Sequence, residues 1–122
     1  MSRIITIFVL IFLGVVLIGY ATTQVKFTGN QILKNKKING NYSVEIENYR
    51  YSPNQLTLNL GETVQWINLD SSKHTVTSYG DGPLNSVILR QGETYSYTFN
   101  SLGEFPYYCT LHPYMEGKII VK

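Results

Sequence analysis

Hydrophobic and polar positions change their rhythm twice along this 122-residue chain. The run from Ile4 to Tyr20, IITIFVLIFLGVVLIGY, is apolar throughout except for Thr6 and two glycines, and carries no charge. Read as a helix at 1.5 Å per residue, it is roughly 25 Å long, at the short end of what crosses a hydrocarbon core. Arg3 stands before it and Gly19-Tyr20-Ala21 offers a small-x-small cleavage site, so residues 1–21 read as a signal peptide or a membrane anchor. From Thr22 to Asn41 the sequence is polar, glycine-spaced and without period, and reads as a tether.

From Tyr42 onward alternation takes over. Val44 and Ile46, Leu56-x-Leu58-x-Leu60, Val64 and Trp66, Tyr95-x-Tyr97-x-Phe99, Phe105-x-Tyr107-x-Cys109, and Ile119 and Val121 each place apolar side chains at every second position. That is the period of strands with one face in a core. Turn-forming clusters at Ser52-Pro53-Asn54, Gly61-Glu62, Gly80-Asp81-Gly82-Pro83, Gln91-Gly92-Glu93 and Leu102-Gly103-Glu104 separate them. Seven or eight short strands without a convincing helix predict an all-β sandwich or small barrel over residues 42–122.

Composition narrows the possibilities. Only 15% of residues are charged against 43% hydrophobic, which excludes a disordered charged tail. The whole chain carries +2, yet residues 42–122 hold eight acids and five bases, so the β domain is at −3. The positive charge belongs to the amino-terminal arm, and a nucleic-acid-binding face is disfavoured. One cysteine, Cys109, excludes an internal disulfide and any zinc site that needs two thiolates.

Two stretches break the alternation. Asn68-Leu69-Asp70-Ser71-Ser72-Lys73-His74 is a polar loop, read as running into a strand that opens at His74. Residues 107–117, YYCTLHPYMEG, read as a loop between the last two strands, with Cys109, His112 and Met115 spaced three by three. That spacing can turn three side chains toward one point, roughly as one helical turn would. Taken singly, Cys109 is an ordinary buried thiol, His74 a loop histidine and Met115 a core filler. Asp70 next to His74 reads either as its acidic partner or as a turn residue. Taken together, one thiolate, two imidazoles and a thioether are a soft set that disfavours magnesium, calcium and manganese, while zinc seldom takes a thioether. Copper remains: His₂Cys with a long axial Met is the ligand set of blue-copper electron-transfer centres.

The run from Tyr108 to Val121, with Cys109-x-x-His112-x-x-Met115, resembles the carboxy-terminal signature of the cupredoxins, the type-1 blue-copper family. Its spacing is nearer to the amicyanin-like branch than to plastocyanin or pseudoazurin. Val64-Gln65-Trp66-Ile67-Asn68 and Phe99-x-x-x-Gly103-x-Phe105-x-Tyr107-x-Cys109 are similar to the family as well, so the resemblance covers Tyr42 to Lys122. It implies a Greek-key β-sandwich with one mononuclear copper at one end, held by His74, Cys109, His112 and Met115. Asn68 and Thr75 fall where the supporting shell of the ligands is expected. Two departures stand out: Thr75 replaces an asparagine that commonly ties the two ligand loops together, and Lys73 replaces a frequent proline. The resemblance also implies an electron port around the carboxy-terminal histidine, here an apolar patch of Leu111, His112, Pro113 and Tyr114, and a His112 that leaves reduced copper on protonation.

The expected function is therefore a monomeric electron carrier that exchanges single electrons with a donor and an acceptor redox protein. The competing reading is a copper carrier or chaperone, which predicts weak visible absorption and rapid exchange with a Cu(I) chelator. Enzymatic readings fare worse. A copper oxidase or nitrite reductase needs further histidines, a binuclear copper centre needs a second thiolate, and a cysteine hydrolase needs a third orienting group. Thiolate–copper chemistry favours a site outside the cytoplasm, anchored by or exported through residues 4–20. The excess of lysines after the apolar run points the other way under the positive-inside rule.

Overall fold

Burial follows the alternation predicted for the strands. The computed structural model describes Lys37, Ile38 and residues 40–122; the apolar run at 4–20 and most of the tether lie outside them. The described residues form nine strands: β1 (Lys37–Ile38), β2 (Asn41–Glu47), β3 (Arg50–Ser52), β4 (Gln55–Leu58), β5 (Thr63–Asn68), β6 (Thr77–Ser78), β7 (Thr94–Thr98), β8 (Gly103–Cys109) and β9 (His112–Val121). They form two sheets, one in the order β1-β2-β5-β7 with β3 also on β2, the other β4-β9-β8-β6. Among the described residues there is no helix. Eight of the nine strands, β2 to β9, make up the domain for which seven or eight were expected; the ninth, β1, is a two-residue strand in the stretch read as tether.

The inward rows of both sheets meet in one core that includes Val44, Ile46, Leu56, Val64, Trp66, Phe99, Tyr107 and Ile119, each at most 1% exposed. Aromatic rings lock the layers together: Tyr107 of one sheet meets Tyr51 (4.8 Å) and Trp66 (5.5 Å) of the other edge-to-face. The Trp66 indole N–H and Tyr107 hydroxyl are buried without a well-formed hydrogen bond. Burial holds the Tyr107 phenol far above its ordinary value, and the indole N–H offsets part of that effect.

Topology fixes which loops meet. β2 and β5 run parallel, with Ile46 opposite Asn68, so the turn after β2 and the loop after β5 leave the sheet side by side. Two sequence expectations change here. No strand opens at His74: it makes a single bridge to Leu89, and the regular ladder starts only at Thr77. The amide of Thr75 points at the Cys109 sulfur instead of a ladder carbonyl. Likewise the stretch 107–117 is strand rather than loop, except for Thr110 and Leu111. Cys109 pairs directly with His112, and a bulge between Tyr108 and Cys109 rotates the register. A bulged hairpin, not a helix-like turn, brings these side chains round.

Candidate metal centre

The loop after β5 is shaped by one buried amide. The Asn68 side chain donates to the carbonyls of Ser72 (2.8 Å) and Leu89 (2.9 Å), and its oxygen accepts from the amide of Asp70 (3.0 Å). Asn68 is fully buried, so these bonds satisfy groups that would otherwise be costly in the core. The loop then delivers His74, also fully buried, with Nε2 2.8 Å from an Asp70 carboxylate oxygen.

That carboxylate does three things at once. It accepts the amides of Asn48 (2.7 Å) and Tyr49 (3.0 Å) as well as the His74 ring. Partial burial disfavours its charge, but the Tyr49 and Asn48 amides and then His74 outweigh this and hold the carboxyl below its ordinary value. Burial in turn lowers the His74 imidazole, against the pull of Asp70, so the ring is neutral near pH 7. A neutral ring that donates from Nε2 to a carboxylate keeps a free lone pair on Nδ1, the form a metal needs.

The hairpin supplies the other donors. Cys109 is fully buried, with Sγ 3.8 Å from His74 Nδ1 and 3.6 Å from His112 Nδ1. The donor atoms of His74, Cys109 and His112 all lie within 4.8 Å of one another. Thr75 bonds to the hairpin through two groups: its amide donates to Cys109 Sγ (3.4 Å), and its hydroxyl accepts from the Thr110 amide (2.9 Å) and pairs with the Thr110 hydroxyl (3.1 Å). A short hydroxyl thus ties the two segments together where the family commonly has asparagine. Met115 is 2% exposed and shares the inward row of β9 with Ile119 and Val121. Around half-buried His112, Leu111 (46%), Pro113 and Tyr114 (71%) face solvent.

This donor set fits a single copper. Two imidazole nitrogens converge on a buried thiol, with a hydrogen-bond donor on the sulfur and no second thiol in the chain. The family model for the cupredoxin-like domain matches residues 9–121. This chain belongs to the cupredoxin-like family. Among the cupredoxins it is 35% identical over 83 residues to amicyanin of Paracoccus versutus, covering 65% of this chain and 63% of that protein. It is 32% identical over 88 residues to amicyanin-alpha of Methylorubrum extorquens, covering 68% and 73%. The chain thus spans a little under two thirds of the length of the Paracoccus amicyanin. A solved amicyanin variant in its reduced Cu(I) form at pH 4 superposes with a TM-score of 0.65 at 32% identity, over 71% of this chain and 87% of that one.

Sequence reasoning left two neighbours of the site unresolved or unseen. Asp70 had two readings, and the structure gives it the role of His74 partner and turn anchor together. Tyr49 went unnoticed, although its ring packs against both histidines. The available signal was Asn48-Tyr49, two residues with an asparagine first between two alternating runs, which is hairpin-turn spacing.

Proposed function

We propose that this protein is a blue-copper electron carrier with His74, Cys109, His112 and Met115 as ligands of one type-1 copper. The convergence of both Nδ1 atoms on the Cys109 sulfur is the observation that carries this reading. When bound, the metal supplies a one-electron couple. The chain's own residues supply what makes such a couple fast: a ligand pocket fixed before the metal arrives. Asp70 orients His74, Asn68 braces the loop that carries it, and Thr75 joins loop to hairpin and donates to the sulfur. Both histidines and the cysteine go to this one site, which leaves no histidine or thiolate for a second, catalytic copper.

Electrons enter and leave through His112, whose apolar surround of Leu111, Pro113 and Tyr114 suits brief, dry contact with a redox protein. The connectivity is read as Greek-key, the working form as a monomer, and the partners as a donor and an acceptor protein outside the cytoplasm. Residues 1–21 act as signal or anchor and 22–41 as tether. In support, Lys37 and Ile38 join the sheet at the start of β2, the end away from the Asn48–Tyr49 turn on which His112 packs.

Adding Cu(II) to the purified protein tests the ligand set. Intense visible copper–thiolate absorption, abolished in Cys109→Ser, is the expected result. Weak absorption with rapid loss of copper to a Cu(I) chelator sinks the carrier-of-electrons reading in favour of metal delivery. His112→Gly should open the copper to added imidazole; an unchanged spectrum with unaltered partner kinetics removes His112 from the port.

A further inference from the structure

We propose that Tyr49 is a positioning residue of the copper centre, its ring forming the solvent-side wall that holds the imidazoles of His74 and His112 in place. The inference rests on the copper-site reading above and concerns a residue outside the ligand set.

The backbone is the first indication. β2 and β3 are joined by only Asn48 and Tyr49, at φ 54° and 57°. Two successive left-handed residues are what a tight hairpin turn of this kind requires, and the second is ordinarily glycine. A bulky aromatic there is a conformational cost that persists only where surrounding contacts over-determine it.

Those contacts all lead to the metal site. The Tyr49 ring stands edge-to-face to His74 (centroids 5.4 Å, 83°) and to His112 (4.9 Å, 87°). Its hydroxyl is 2.6 Å from the Ser72 hydroxyl, on the loop that carries His74. The turn amides end on Asp70, the carboxylate that also binds the His74 ring. One acidic group therefore sets the rotation of a ligand and holds the backbone that places the tyrosine against it. Tyr49 is itself 41% exposed while His74 is 0%, so the ring lies between the buried imidazole and solvent. A ring wedged against both imidazoles restricts their rotation when the charge at the site changes, and keeps water and small anions from the donor atoms.

Tyr49→Gly separates this role from a merely structural one, because glycine takes the turn conformation without strain. The expected result is a metal-free unfolding midpoint equal to or above wild type. Copper transfer to a chelator should accelerate by about tenfold or more, the scale on which groups supporting metal ligands act. Azide should perturb the visible band of the variant and not that of wild type. Tyr49→Phe, which keeps the ring, should stay close to wild type. In the metal-free protein, the ring-current displacement of the His74 and His112 ring-proton resonances should persist in Tyr49→Phe and vanish in Tyr49→Gly. The proposal is overturned if Tyr49→Gly retains copper like wild type, if its copper loss tracks a lowered midpoint, or if Tyr49→Phe behaves like the glycine variant. Absence of copper–thiolate absorption in the wild type is a different result: it removes the copper-site reading, and this inference with it.

Discussion

At the end of the sandwich away from the site, the chain turns on its own backbone. Gly61 donates to Phe99 O (2.7 Å), Phe99 to Glu62 O (3.0 Å), Leu60 to Lys122 O (3.1 Å) and Lys122 to Leu58 O (3.0 Å). The side chain of Glu62 adds a surface pair with Lys37 and accepts the Asn59 amide, both outside the core. At the metal end the turning is done by side chains taken out of water. Asn68, His74, Thr75 and Ser78 are the buried polar residues among those described, and all fall between positions 68 and 78. Burying polar groups is costly unless each is bonded, so a fold concentrates them where they aim something. At the far end, backbone bonds only have to close a sheet. At the metal end, side-chain bonds must also fix where two imidazoles and a sulfur point before any metal arrives.

The contrast is broken most severely from inside the hairpin. A Cβ at Gly117 would run into the ring of Tyr107, which is fully buried between the sheets and cannot swing away. Gly117→Ala should cost about 3 kcal/mol by overpacking, read as a shift in the urea midpoint of the metal-free protein. A smaller loss, about 2 kcal/mol, is expected for Asn68→Ala, which leaves the Ser72 carbonyl and the Asp70 amide without this partner and the Leu89 carbonyl with the His74 amide alone. The two variants should differ in kind. Gly117→Ala injures the core as a whole, whereas Asn68→Ala should lose copper affinity out of proportion to its stability, because the loop that aims His74 is what it releases.

Why some of this was legible in the sequence and some was not follows from the same contrast. Alternation marks Val44, Ile46, Val64, Trp66, Tyr107 and Ile119 as core because burial has a period of two, and the structure buries all of them. Leu60, which continues the Leu56-x-Leu58 row in sequence, is 52% exposed because β4 ends at Leu58 and the chain turns there. His74, Cys109 and His112 were legible through residue chemistry and spacing together, and their donor atoms do converge. Asp70 was half legible, because it stands four residues from His74, but its bonds to the Asn48 and Tyr49 amides and the packing of the Tyr49 ring on both histidines cross between segments, which no local pattern encodes. The bulge that lets Cys109 pair with His112 was hidden for a different reason: a shift of register leaves the composition of both strands unchanged.

Thr75 sharpens the comparison at finer grain, because its bonds to the hairpin come from two different parts of the residue. Thr75→Val removes the hydroxyl that accepts from the Thr110 amide but keeps the backbone N–H directed at Cys109 Sγ. The expected cost is about 1–2 kcal/mol in stability, because the hydroxyl also pairs with the hydroxyls of Thr110 (3.1 Å) and Thr77 (3.1 Å). The copper–thiolate absorption should survive, since the donor to the sulfur is main chain. Loss of that absorption with stability intact would mean that the hydroxyl, not the amide, governs the thiolate.

The smallest effect belongs to the far end and tests whether its side chains matter at all. Glu62 accepts from the Asn59 amide (2.7 Å) and from Lys37 (3.0 Å). First the Asn59 amide and then the Lys37 ammonium hold its carboxyl below the ordinary value of 4.5, against a weaker opposing effect of burial. A carboxyl depressed in the folded state contributes stability that is complete above its unfolded value and disappears as pH falls through the folded one. Wild type should therefore unfold at a slightly higher urea concentration than Glu62→Gln at pH 7, with the gap closing as pH drops below about 4.5, where an unfolded glutamate takes up its proton. Added salt should narrow the part due to Lys37 and spare the part due to the Asn59 amide, since an exposed ion pair is screened and a short hydrogen bond to a neighbouring amide is not. A gap that persists unchanged down to pH 3 would mean that the Glu62 side chain acts here by packing rather than by charge, and the two ends would then differ less in kind than their hydrogen bonds indicate.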